Sequence, residues 1–307
     1  MNRLIDRPRN LGVICAVMAV GLGLAYMTAG GAPADYLLVN VAALILGATA
    51  WLALGRIASA RLAESGNAVL ALALLLLATA VFGAAADGVS RWVVVGPLSI
   101  QVSLIVLPAM IVLYARRADA IGTIGMGIAA LALAAQPDRA MAGVLAAGLA
   151  TIVVAKRGGL PVVALAVATV AFTVTLIRPD MSPAVPFVDR ILYTAFSVHV
   201  LAGLAVVTGC IVLILPALAG AILSADHRSV MMAFGASWAG VLAAAALGNY
   251  PTPLVGYSGS AVLGYLLSVA LLPSASATVG PNLGETASAI DPGAEDDITA
   301  SRIPRLA

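Results

Sequence analysis

Nine charged side chains, Asp35, Asp87, Arg91, Asp138, Arg139, Arg178, Asp180, Asp189 and Arg190, lie in loops or at the ends of long apolar runs. Ionisable groups at the edge of an apolar bundle are costly to keep, which makes them functional candidates by default. Arginine can clamp a pyrophosphate through paired hydrogen bonds, and a carboxylate within reach of a hydroxyl can act as a general base. Gathered in one cavity, the two suit an anionic, lipid-linked substrate. The same residues also suit a plainer role, marking loop ends and reaching into lipid headgroups. His199 falls inside an apolar run and reads as a hydrogen-bonded packing residue rather than a proton carrier, and His227, between Asp226 and Arg228, reads as a solvated loop residue. Cys15 and Cys210 sit in apolar runs without disulfide or metal-ligand spacing and read as small buried hydrophobes.

The elements that must carry these groups are membrane-spanning helices. Of 307 residues, 62% are hydrophobic and 10% charged, and mean hydropathy is +1.07. A soluble domain has about 25% charged residues, so lipid must be the solvent for most of this chain. Apolar runs at 11–29, 36–55, 67–86, 100–115, 119–135, 139–155, 160–178, 192–223, 229–247 and 256–273 predict an all-α polytopic bundle of about ten spans over residues 1–273. No period-two alternation marks a barrel. With ten spans, twelve of the sixteen basic residues fall on one side and only Arg91, Arg139, Arg178 and Arg190 on the other. The positive-inside rule then places both termini in the cytoplasm and the nine charged candidates outside. Residues 274–307, polar and rich in acids, predict a disordered cytoplasmic tail. A net charge of +2 gives no reason to expect nucleic acid.

Three local patterns sit at the outer ends of these spans. The first runs Gly88-Val89-Ser90-Arg91-Trp92-Val93-Val94-Val95-Gly96-Pro97-Leu98-Ser99-Ile100-Gln101-Val102-Ser103. The second is Gln136-Pro137-Asp138, and the third is Pro253-Leu254-Val255-Gly256-Tyr257-Ser258-Gly259-Ser260. In this order and on this topology they resemble the SEDS family, the FtsW and RodA type of cell-wall glycosyltransferases, over nearly the whole chain. The family's patterns are G-x-x-R-W-x-x-x-G…Q-P-S-E-x-x-K, Q-P-D-x-G-T-A and P-F-x-S-Y-G-G-S. The resemblance implies polymerisation of lipid II on the outer face of the bacterial cytoplasmic membrane, in division or cell-shape maintenance, beside a class B penicillin-binding protein. It implies substrate contacts from Arg91, Trp92, Gln101, Ser103, Gln136, Asp138, Arg139, Tyr257, Ser258 and Ser260. No cofactor or metal site is evident, although a divalent cation could sit at the pyrophosphate.

In this family an aspartate after the seventh span is the expected base. Its counterpart here is Asp189, in Pro186-Phe187-Val188-Asp189-Arg190-Ile191-Leu192-Tyr193, with Asp180 as a second candidate. Asp189 is also placed as an acid favoured by the helix dipole at the start of the eighth span. The chain departs from the family at several points. The loop after span seven covers only about residues 178–191, Leu104 and Leu107 stand where the family has glutamate and lysine, and Ala140-Met141-Ala142 replaces Gly-Thr-Ala. Two expectations follow: a compact SEDS glycosyltransferase, or a non-catalytic relative that binds a lipid-linked precursor or scaffolds a cell-wall complex. Charged residues near mid-membrane, expected of a transporter, are missing from the pattern.

Overall fold

Apolar segments immersed in lipid must satisfy their backbone groups internally, and helices do so within one segment. The computed structural model describes residues 8–57, 66–86, 89–96, 98–178, 183–223 and 227–273. Its helices are α1 (Pro8–Ala29), α2 (Ala34–Ile57), α3 (Gly66–Phe82), α4 (Val102–Arg116), α5 (Ala120–Ala135), α6 (Arg139–Lys156), α7 (Gly159–Leu176), α8 (Ile191–Val198), α9 (Val200–Val212), α10 (Leu215–Leu223), α11 (Arg228–Leu247) and α12 (Gly259–Ala270). Six stretches are long and apolar enough to cross a membrane: α1, α2, α6, α7, the continuous α9–α10 and α11. Four shorter apolar helices, α3, α4, α5 and α12, accompany them. Every predicted run begins within three residues of a helix start, and the chain is a polytopic helical bundle. The expected cytoplasmic tail, with Asp87 and Asp180, lies outside the described residues.

Exposed apolar side chains such as Leu38, Ile45, Val154 and Leu218 line the outside of the bundle. At its centre is α4, where every residue from Val102 to Ala115 except Ile105 is buried. A helix surrounded by other helices has no polar face, which explains the absence of charge from Trp92 to Ala115. Around α4 pack α3, α11 and α12. Trp238 of α11 meets Tyr265 of α12 edge-on at 5.1 Å and donates to Ser268 Oγ at 3.1 Å. At the basic end, Asp119 caps two helices at once: its carboxylate accepts from Gly122 N–H of α5 at 2.7 Å and from Gly66 N–H of α3 at 3.1 Å. Arg9 and Arg116 donate to the last carbonyls of the α12 segment, Ala270 O and Leu271 O, matching cations to the negative helix end.

Two features differ from the sequence expectation. The third run stops being helical at Phe82, and a three-stranded antiparallel sheet follows: β1 (Ala84–Ala86), β2 (Val89–Val95) and β3 (Leu98–Gln101), in the order β1-β2-β3. Its register pairs Trp92 with Gln101, Val93 with Ile100, Val94 with Ser99 and Val95 with Leu98. The run of three valines is apolar on both faces, so no alternation announces the strand. The eighth run is broken at His199, whose backbone is extended (φ −168°, ψ 149°) between α8 and α9. His199 is exposed, not packed in the core, and its Nδ1 accepts from Leu201 N–H at 3.1 Å, capping α9. His227 is the N-cap residue of α11 and makes no side-chain cap bond.

Candidate functional site at the end opposite the basic cluster

The second motif ends α5 and starts α6. Asp138 is the N-cap of α6: its Oδ1 accepts from Met141 N–H at 3.2 Å, satisfying one of the helix's orphan donors. The Oδ2 atom accepts from Ser103 Oγ at 3.0 Å and from Gln101 Nε2 at 3.3 Å. Gln101 closes β3 and Ser103 opens α4, so this carboxylate ties the second motif to the first. Gln101 Nε2 also donates to Tyr250 Oη at 2.7 Å. Gln136 Nε2 donates to Leu76 O at 3.3 Å, joining α5 to α3. All of these side chains are buried, Asp138 and Gln136 completely. Removing the carboxylate strands two donors, Ser103 Oγ–H and Met141 N–H, while Gln101 Nε2 keeps Tyr250 Oη, and each buried unpaired group costs about 1–3 kcal/mol. Asp138→Ala is therefore expected to lower stability by about 2 kcal/mol or more, with Asp138→Asn losing less; unfolding monitored in detergent reads both.

The third motif is held from three directions. Asn40, fully buried on α2, donates through Nδ2 to Gly256 O at 2.7 Å and accepts through Oδ1 from Ser258 N–H at 3.1 Å. Ser260 Oγ accepts from Gln101 N–H at 3.0 Å, linking the third motif to the first. Gly23 of α1 lets the segment come close, since a Cβ there would sit 2.4 Å from Val255 O. Tyr257 stacks on Tyr36, with centroids 4.0 Å apart and planes at 16°. Burial first, then the neighbouring Tyr36 and Asp35, raises the Tyr257 pKa above its ordinary value. Neither Asn40 nor Tyr250 was singled out from the sequence. Asn40 had a faint signal, a lone amide within an apolar run.

Asp189 sits against this third segment. Its backbone pairs with Pro251 in an antiparallel bridge, Thr252 N–H donates to Val188 O at 3.0 Å, and Tyr257 N–H donates to Phe187 O at 2.7 Å. The carboxylate does not cap α8. The N-cap is Arg190, and Asp189 Oδ2 turns back to accept from Val185 N–H at 2.8 Å, leaving the residue 8% exposed. Three non-glycine residues here have positive φ: Phe187 at 61°, Arg190 at 59° and Leu254 at 64°. Such conformations cost about 1–3 kcal/mol each and gather at functional sites. The Tyr250-to-Ser260 segment thus touches Gln101 from both its ends, through Tyr250 and Ser260, and meets Asp189 at Pro251 and Asn40 at Gly256 and Ser258.

The predicted arginines divide into two groups. Arg91 is buried, with its guanidinium carbon 5.5 Å from the centroid of the half-buried Trp92 ring. Arg139 and Arg178 are exposed and linked in series: Arg139 Nη2 donates to Arg178 O at 3.3 Å, and Arg178 Nη1 donates to Ala134 O at 3.1 Å. Ala134 also lines a groove of about 420 Å³ between α5 and α7, walled by apolar side chains including Leu131, Val170 and Val174. Leu104 and Leu107, the departures from the family's glutamate and lysine, are buried in the packing of α4.

Scanned against protein-family models and against curated proteins, the sequence matches none. Among solved structures it matches the rod shape determining protein RodA of Thermus thermophilus, with a TM-score of 0.62 and 22% identity, covering 85% of this chain and 94% of that one. An aspartate-to-alanine mutant of the same RodA gives the same values. With its three motif segments meeting at one end of the helical bundle, the chain has a RodA-like fold in divergent form.

Proposed function

We propose that the chain is a compact SEDS-type glycosyltransferase that polymerises a polyprenyl-pyrophosphate-linked sugar such as lipid II at the outer face of a bacterial cytoplasmic membrane. The observation that carries this reading is the meeting of all three motif segments with the Asp189 loop at the end opposite the basic cluster. In the proposed reaction an acceptor sugar hydroxyl attacks the anomeric carbon of the donor. The new C–O bond forms as the bond to the pyrophosphate oxygen breaks, the hydroxyl proton passes to Asp189, and polyprenyl pyrophosphate leaves. Arg139 and Arg178, at the mouth of the α5–α7 groove, are placed to meet the diphosphate, and the groove matches the apolar chain below it. A divalent cation, if one takes part, fits this reading at the pyrophosphate.

In this reading Gln101, Ser103 and Asp138 position the backbone around the substrate, because their side chains bond one another and the α6 end, and Gln136 ties α5 to α3 through Leu76 O. Tyr257, Ser258 and Ser260 form the neighbouring wall. The partner suggested by the resemblance is a single-span class B penicillin-binding protein. The purified chain, reconstituted with lipid-linked disaccharide with and without such a partner, is expected to yield glycan polymer; no product under either condition overturns the enzymatic reading. A second reading, a non-catalytic protein that binds the precursor or scaffolds a cell-wall complex, is favoured by the dry α4 packing of Leu104 and Leu107. It expects precursor binding without turnover.

A further inference from the structure

The β2–β3 hairpin carries an exposed apolar surface on both sides. Its register puts Val93, Val95, Leu98 and Ile100 on one face, and Trp92, Val94 and Ser99 on the other. Val93 is 36% exposed, Val94 55% and Val95 57%. A strand packed on protein and wetted on its free side shows one apolar and one polar face; this tip shows valine to both. Nothing charged follows until the far end of α4.

The helices on either side are short. The 17 residues of α3 rise about 25 Å, and the 15 of α4 about 22 Å, against a hydrocarbon core of about 30 Å. The last residues of α3 are themselves exposed and apolar, Val81 at 65% and Phe82 at 85%. Neither helix reaches the membrane surface on its own, so the chain between them finishes the crossing as a strand pair. A strand can enter that layer only if its backbone groups are paired. β2 is bonded to β1 from Val89 to Trp92 and to β3 from Trp92 to Val95, so its tip is paired along one edge, and β3 packs beside α12. The outer edges of β1 and β3, and the second edge of β2 at its tip, suit the boundary layer and not the hydrocarbon centre.

We propose that the tip of this hairpin, Val93 to Val95, is a lipid-binding element immersed in the headgroup layer of the leaflet at the site's end. Its partner is the bilayer, and it holds the Arg91–Trp92 pair at headgroup depth, where interfacial tryptophan is favoured. The inference is independent of the enzymatic reading, since its test reports depth and not turnover.

The test places an environment-sensitive fluorophore at Val94→Cys in the full chain, reconstituted in phosphatidylcholine–phosphatidylglycerol vesicles. The native thiols of Cys15 and Cys210 are buried, so labelling is selective. Val94 is more than half exposed, so the change is mild, and a second label at Phe82→Cys marks the helix end. Lipids bearing a nitroxide near the headgroup are expected to quench the Val94 label more than lipids bearing it near the chain end. Iodide in the water is expected to quench it several-fold less than it quenches free dye. Full quenching by iodide with none from lipid overturns the proposal, and so does stronger quenching from the chain-end nitroxide or no quenching by any of the three.

Discussion

Asp189→Asn is expected to reduce polymerisation of the lipid-linked sugar by about 100-fold or more, the usual contribution of a positioned general base, while leaving the unfolding temperature nearly unchanged. Asparagine is the informative substitution because Asp189 also has a structural contact. Its Oδ2 accepts from Val185 N–H, and an amide oxygen can accept the same bond, so the turn that holds Phe187 and Val188 against Thr252 and Tyr257 survives. What disappears is basicity. Alanine would remove both and confuse the loss of a base with the loss of a turn. Two measurements on one protein, turnover and thermal unfolding, separate the roles. If Asp189→Asn keeps full activity, Asp189 is a turn residue and the proposed base is wrong. If the wild type has no activity but binds the precursor as Asp189→Asn does, the scaffold reading stands.

How much of this was legible in the sequence depends on the range of the interaction. Helices dissolved in lipid announce themselves residue by residue, which is why every apolar run begins within three residues of a helix start. Gln101, Ser103 and Asp138 stand out through motifs whose order and spacing carry ancestry, but as expected substrate contacts; their hydrogen bonds to one another were not foreseen. The hairpin was hidden because Val93, Val94 and Val95 are apolar on both faces and erase the period of a strand. The break at His199 was hidden because no glycine or proline marks it; an extended backbone and a side-chain cap do the work instead. Asn40 and Tyr250 escaped for a different reason. Their partners, Gly256 and Gln101, lie 216 and 149 residues away, and no local pattern encodes such a pairing. Sequence likeness also could not show that Asp138 is wholly enclosed.

Gly264→Ala is expected to be the most damaging single change to the bundle, at about 3 kcal/mol or more, and thermal unfolding in detergent measures it. Alanine is the better helix former by about 1 kcal/mol, so propensity alone predicts a gain. Geometry reverses the sign. A Cβ at 264 would lie 2.0 Å from Leu104 O and 3.0 Å from Ile105 Cα, both backbone atoms of the buried α4, and neither can swing aside as a side-chain tip could. The two helices must separate. That breaks more than packing, because the start of α12 carries Ser260, whose hydroxyl accepts from Gln101 N–H just before α4. The site and the core share this crossing. Gly127→Ala on α5 is the control: nothing lies within 4 Å of its added Cβ, so helix propensity should prevail and stability should hold or rise slightly. Equal unfolding temperatures for the two variants would mean that α4 and α12 are not in backbone contact. The same crossing accounts for Leu104, which is 1% exposed where the family has glutamate. With glycine opposite and backbone touching backbone, there is no room to solvate a carboxylate, and a close dry contact is the arrangement this chain has adopted.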